Sequence, residues 1–154
     1  MKQTIPICMP DLSLRPFRLS VEKAMSFPPN VLYRVWIEQF DFWFAEPGSV
    51  LMKGEVNTVF YFETAFAGNR HPHYGRFLRL VPDQLVELTW LTGSDGTKGA
   101  ETVVTVELKK VEDGTVLQLN HAGFPDEESR DKHEQAWPLV LVQLEDRLTK
   151  FFHS

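Results

Sequence analysis

The sequence predicts an α+β fold: a curved antiparallel sheet, two short helices after its first strand, and one long C-terminal helix enclosing a cavity against the sheet. Three observations carry this. Apolar and polar residues alternate with period two through most of the chain, the mark of half-buried strands. The alternation breaks once, early, for a segment of helical spacing. It ends in an apolar stripe that repeats at helical spacing from about Pro125 to Phe152. A sheet with one apolar face must be covered, and the last helix is the segment long enough to do it.

The elements follow in order. Residues 1–13 read as a loose lead-in, because Pro6 and Pro10 oppose regular structure, and residues 14–154 as one domain. "FRLSVEKAM" alternates, with Phe17, Leu19 and Val21 on one side, and is the first strand. Pro28 or Pro29 then opens a helix, where a missing N–H costs nothing. Val31, Leu32, Val35 and Trp36 form its stripe. Phe40, Trp43 and Phe44 mark a second short helix, stopped by Pro47-Gly48.

"VNTVFYFETAF" and "YGRFLRLV" are strands on either side of a reversal near Gly68-Asn69. A two-residue turn at Gly68-Asn69 would pair Ala67 with Arg70. Phe60 and Phe62 would then face away from Leu78 and Leu80, splitting one apolar face between core and solvent. A three-residue loop, Gly68-Asn69-Arg70, shifts the pairing by one. This is the expected register, and it places Arg76 among those four apolar residues.

"QLVELTW" is the next strand, with Val86, Leu88 and Trp90 inward. "ETVVTVELKKV" and "TVLQLNHAG" form a hairpin around Asp113-Gly114, with Val104, Val106 and Leu108 on one face and Leu117, Leu119 and His121 on the other strand's matching face. The closing helix has acidic residues 126–128 in its first turn and Lys150 and His153 near its end, as the helix dipole favours. Its inward stripe is Trp137, Val140, Leu141, Leu144, Leu148 and Phe151.

The bulk numbers narrow the function. The 154-residue chain has a formal net charge of −5, which argues against nucleic acid as a partner. No stretch approaches the roughly 20 apolar residues of a membrane span, and the proline-broken N-terminus lacks the apolar core of a signal peptide. Cys8 is the single cysteine, so no internal disulfide forms. A cytoplasmic protein is expected. Aromatic residues make up 12%, enough to line a cavity as well as fill a core.

This order of elements, with "GRFLRLVPDQLVELTW", "ETVVTVEL", "GTVLQLNHAGFPDEESRDKHEQAW" and "LEDRL", resembles the family of activators of heat-shock-protein-90 ATPase, within the START-like, helix-grip (SRPBCC) superfamily. The resemblance covers about Phe17 to Phe152 and is strongest from Gly75 onward. Trp90, residues 101–104, Gly114-Thr115, His121, residues 123–125 and Trp137 carry it. One position departs: the family often has glycine before the helix tryptophan, and here it is Ala136. The resemblance implies the helix-grip fold. For function it implies a spread from lipid and hormone binding through polyketide cyclisation to co-chaperone activity, because function lives in sites and not in folds.

Each candidate site has a plainer reading beside it. "HEQAW" (residues 133–137) is one letter from the H-E-x-x-H zinc helix. An indole nitrogen only donates, so Trp137 cannot replace the second ligand. The plainer reading puts Trp137 in the core and His133 one turn earlier, at a cavity entrance. In "RHPHY", His71 and His73 share a face on a strand, but that face is expected to be the solvent face, near Glu63, in a solvated hairpin end. His121 falls on the inner face; a histidine held by backbone at the strand–helix junction is favoured over a ligand anchor or acid–base group. Arg76 could equally meet a ligand anion or reach the rim. "GSDGTKG" is no phosphate loop, and no serine has the flanking glycines of a nucleophile elbow.

The leading expectation is a protein that binds a hydrophobic or lipid-like small molecule in a cavity between sheet and C-terminal helix. The cavity residues would be Trp36, Phe40, Trp43, Phe44, Phe60, Phe62, Arg76, Leu78, Leu88, Trp90, Val104, His121, His133, Trp137 and Leu141. A co-chaperone-like domain acting on a heat-shock ATPase is the alternative that the resemblance implies. A cyclase- or hydrolase-like enzyme ranks third, since no nucleophile–base–acid set supports it. The sequence assigns no catalytic residue, no metal ligand and no cofactor, and a monomer or weak homodimer is expected.

Overall fold

A computed structural model describes residues 8–93 and 96–152. The lead-in up to residue 7, Ser94 and Asp95 in the glycine-rich turn, and His153 lie outside the described residues. Nine elements follow one another: β1 (Phe17–Met25), α1 (Pro29–Ile37), α2 (Phe40–Trp43), β2 (Val59–Phe66), β3 (Asn69–Val81), β4 (Leu85–Thr92), β5 (Thr102–Val111), β6 (Gly114–Phe124) and α3 (Glu127–Phe152). This is the predicted α+β helix-grip fold.

The strands form one antiparallel sheet in the order β1-β6-β5-β4-β3-β2. The first strand thus pairs with the last. The chain must cross from the β1 edge to the β2 edge before the meander begins, and α1 and α2 make that crossing. Pro28, extended at φ −71° and ψ 156°, precedes α1, and Pro29 takes its first position, where proline's fixed φ suits a helix start. Leu32, Val35 and Trp36 are buried from α1, and Phe40 and Trp43 from α2.

The central hairpin follows the expected faces: Val104 opposes His121, Val106 opposes Leu119, and Leu108 opposes Leu117. These residues are buried, as are Leu88 and Trp90 of β4. From α3, Trp137, Leu141, Leu144 and Leu148 are buried. Phe151, expected on the same stripe, is 63% exposed. It meets Phe42 edge-on at 5.5 Å. Pro138 sits inside α3. Its missing N–H leaves the carbonyl four residues earlier without its helical donor, and an exposed position is where water can satisfy it.

The β2–β3 register differs from expectation. Phe66 pairs with Asn69, Phe62 with His73 and Phe60 with Gly75. The turn is Ala67-Gly68, both at positive φ (55° and 81°), the pattern that matches strand twist in two-residue hairpins. The conflict between apolar faces is resolved within β3. Phe77 pairs with Leu88, but Arg79 pairs with Glu87, so one extra residue is inserted between them. A bulge of this kind lets successive residues turn to the same side, and both Phe77 and Leu78 are fully buried. Phe60 and Phe62 therefore do reach the face of Leu78 and Leu80, by a bulge and not by a longer loop.

Two consequences reverse earlier expectations. Arg76 moves to the outer face, opposite the exposed Val59, where its Nε lies 3.2 Å from the Glu101 carboxylate. "RHPHY" belongs to β3 and not to a hairpin-end loop, and His71 and His73 point to the inner face with Thr64 and Phe62. Glu63 is on the opposite side, bonded to Tyr61 and Arg70.

Candidate functional site

Between sheet and helices the aromatic residues pack on one another. Trp36 contacts Phe40, Trp43 and Trp137, with ring centroids 5.7, 5.1 and 6.1 Å apart. Phe40 meets Phe62 edge-on at 4.9 Å, and Trp90 lies 5.3 Å from Trp137. Phe44 and Phe60 join the same cluster. Tilted and edge-to-face pairs at these distances are the favoured arrangements of aromatic rings. The Trp43 indole donates to the Val35 carbonyl at 3.1 Å, tying α2 to α1. The Trp36 Nε1 is buried with no acceptor among the described residues.

His121 is held on both nitrogens. Trp137 Nε1–H donates to His121 Nδ1 at 3.0 Å. An indole nitrogen only donates, so Nδ1 must accept, and the ring hydrogen sits on Nε2. That nitrogen is 2.7 Å from Thr102 Oγ1, and the Thr102 hydroxyl in turn donates to the Trp90 carbonyl. The chain Trp137–His121–Thr102–Trp90 is saturated and needs the neutral ring, since a protonated Nδ1 would face another donor. Burial, with the nearby His133 second, pushes the His121 pKa well below its ordinary value. Sequence reasoning expected backbone partners here; the partners are two side chains, which join α3 to the middle of the sheet.

A cleft of about 620 Å³ opens beside this chain, between the first turns of α3 and the ends of β2, β3 and β4. Thr64, His71, His73 and Thr92 line it from the sheet, and Lys132, His133 and Ala136 from the helix. The strand residues arrive there because the register puts His71 opposite Thr64 and His73 opposite both Phe62 and Thr92. His73 stacks on Phe62 at 4.9 Å and 12° and meets Trp90 edge-on at 5.4 Å. The cleft's floor is thus continuous with the aromatic cluster. Burial lowers the His73 pKa to about 4, against a backbone hydrogen bond that raises it. His133 is also lowered, first by burial; its ring lies 5.0 Å from both His121 and Phe124.

Of the residues singled out from the sequence, His133 and Ala136 border this cleft, Arg76 is across the sheet, and the aromatic residues stand behind it in mutual contact. His71 and His73 were misassigned to solvent. The signal that locates them is the glycine at 75: an added Cβ there would lie 2.3 Å from the Thr89 carbonyl, so β3 must run hard against β4 at this point. Just before that glycine β3 pairs with β4, Tyr74 with Leu91 and His73 with Thr92, and its alternation carries residue 73 inward. Among the described residues no group of His, Cys, Asp or Glu is arranged to hold a metal. No helix among them is long and apolar enough to cross a membrane.

The comparisons with known proteins bear on the family and the fold. A family model described as activator of Hsp90 ATPase homolog 1-like protein matches residues 26–149. The chain belongs to that family. No curated protein matches it. Among solved structures, this Hsp90-ATPase-activator-like chain is similar to protein CV1439 from Chromobacterium violaceum, at 23% identity and a TM-score of 0.73, covering 85% of this chain and 96% of that one. It is similar to protein MLL2253 from Mesorhizobium loti at 25% identity and a TM-score of 0.70, covering 86% and 97%. It is also similar to the Aha1 dimer from Colwellia psychrerythraea at 17% identity and a TM-score of 0.67, covering 84% and 93%. These likenesses establish the fold of the family member, and its chemistry rests on its own residues.

Proposed function

We propose that the protein binds a small, mainly apolar molecule, and that the ligand enters by the cleft under the first turns of α3. The observation that carries this reading is the continuity between that cleft and the aromatic cluster, through His73 on Phe62 and Trp90. An apolar wall with a few polar groups converging on it is the usual make-up of a ligand site. The cavity residues expected from sequence, apart from Arg76 on the outer face, would form the site once a ligand separates the rings, with His133 at the mouth and the aromatic group behind. His121 is excluded from proton transfer in this reading, because both its nitrogens are engaged. Native mass spectrometry of freshly purified protein, followed by thermal shift across a panel of lipids and polyketides, tests it. A bound small molecule, or a panel member that raises the midpoint, is the expected result. A protein that carries none and responds to none rules the reading out.

A protein-binding role is the second reading. Leu139, Val142, Phe151 and Phe152 of α3 are exposed apolar residues, and a groove of about 580 Å³ runs between α1 and the end of α3 beside Phe42 and Phe151. The family's name points to a heat-shock ATPase as partner, and the related Colwellia structure is of a dimer. Light scattering after size exclusion, and affinity capture with an Hsp90-type ATPase as bait, distinguish self-association from chaperone binding and from neither.

A further inference from the structure

We infer that the cleft under α3 takes a hydroxylated aromatic molecule whose hydroxyl groups donate to the Nε2 atoms of His73 and His133. The inference rests on the ligand-binding reading above and adds the chemistry of the ligand.

Its basis is where each ring carries its hydrogen. His73 Nδ1 lies 3.1 Å from the His71 carbonyl oxygen, and His133 Nδ1 lies 2.9 Å from the Ser129 carbonyl oxygen. A carbonyl only accepts, so both Nδ1 atoms bear hydrogen. A neutral imidazole of that tautomer offers a lone pair at Nε2. Both rings are neutral near pH 7, because burial depresses their pKa values. Among the described residues neither Nε2 has a hydrogen-bond partner, and neither is among the buried, unpartnered side-chain atoms. Both are therefore open acceptors on residues that line one cleft.

A ligand for this site must bring the hydrogens. A carboxylate brings none at neutral pH and would set its charge against two lone pairs. An ammonium would be stripped of water against an apolar wall, which is costly without a counter-charge. The cleft's own charged group, Lys132, is a cation and half exposed, paired toward Glu128 at 3.8 Å. A neutral hydroxyl meets the acceptors at no such cost. The aromatic body follows from the His73 ring, which lines the cleft with Phe62 and Trp90 packed behind it and is of the kind that pairs with another ring. His121, on β6 and two strands removed from β4, has the opposite tautomer and no free nitrogen.

The test uses the full chain and three probes of one shape: naphthalene-2,3-diol, its dimethyl ether and 2-naphthoate. Long-range ¹H–¹⁵N spectra of the imidazoles first read the tautomers. His73 and His133 should carry hydrogen on Nδ1, and His121 on Nε2. On titration, the diol should shift the His73 and His133 Nε2 resonances and bind at least about 10-fold more tightly than the diether, the worth of one good hydrogen bond or more. His73→Phe keeps a ring on Phe62 and should reduce that ratio several-fold, with the thermal midpoint as the check on folding; His133→Leu should reduce it likewise, and the two together should bring it close to one. An Nε2–H tautomer at either residue overturns the inference, as does equal binding of the diether or preference for the naphthoate. Each of these leaves the ligand-binding reading intact. Binding of none of the three also overturns the inference, and silence of the broad lipid and polyketide panel as well removes the reading beneath it.

Discussion

His121 is buried and His73 half-buried on the inner face of the same sheet, and they are built for opposite ends. His121 spends both nitrogens on side chains of β5 and α3. His73 spends one on a backbone carbonyl two residues away and leaves the other toward a cleft. The first arrangement connects distant parts of the chain and can hold them in register. The second connects nothing distant; its bond only fixes the ring's tautomer. A place on the inner face alone therefore does not separate a structural histidine from a binding one. The count of engaged nitrogens, and what lies beyond the free one, does.

This contrast can be broken at several points. The largest effect is expected from Trp137→Ala, which removes the indole that anchors α3 and leaves His121 Nδ1 unpaired. It should cost about 3–5 kcal/mol in urea denaturation. His121→Phe should come next. It orphans the Trp137 N–H, for about 1–3 kcal/mol, with overpacking added. Near-native stability in that variant would show the saturated chain to be ornamental.

Acid should sharpen the contrast further. The folded-state pKa of His73, about 4, lies below its ordinary value of 6.5, and His121 and His133 shift in the same direction. Below about pH 6.5 the unfolded chain binds these protons first. Stability is thus fully present above that value and falls with pH until the folded pKa is passed. The loss is up to about 1.4 kcal/mol per pH unit for each histidine involved. Urea midpoints between pH 7.5 and 5 read this, and His121→Phe should flatten the slope more than surface substitutions do. The smallest effect is expected from His73→Phe. The ring contacts survive and one backbone hydrogen bond is lost, so the midpoint should move by only about 1 kcal/mol. A loss as large as that of His121→Phe would place His73 with the structural histidines.

Much of this was legible in the chain itself. β1, the two short helices, the β5–β6 hairpin and the inward positions of Trp90, Trp137 and His121 follow from periodicity, because side-chain direction within a strand or helix is a local property. Phe151 marks where that reasoning stops. Helical spacing put it on the buried stripe, but in the last turn of α3 it stays 63% exposed. Arg76, His71 and His73 mark a second stop. Their faces depended on a turn at Ala67-Gly68, one residue earlier than the glycine–asparagine signal suggests, and on a bulge at Phe77–Leu78 that hides the shift.

The sequence by itself thus determined the order of the elements, the sheet's apolar face and the helix that covers it, since each is written in spacing along a continuous segment. The tertiary structure alone decided the register of β2 on β3, the partners of His121, and the meeting of His73 with His133 across the cleft. A one-residue slip between two strands reverses every side chain beyond it. That slip is chosen by the sum of contacts over the whole face, which no local pattern contains.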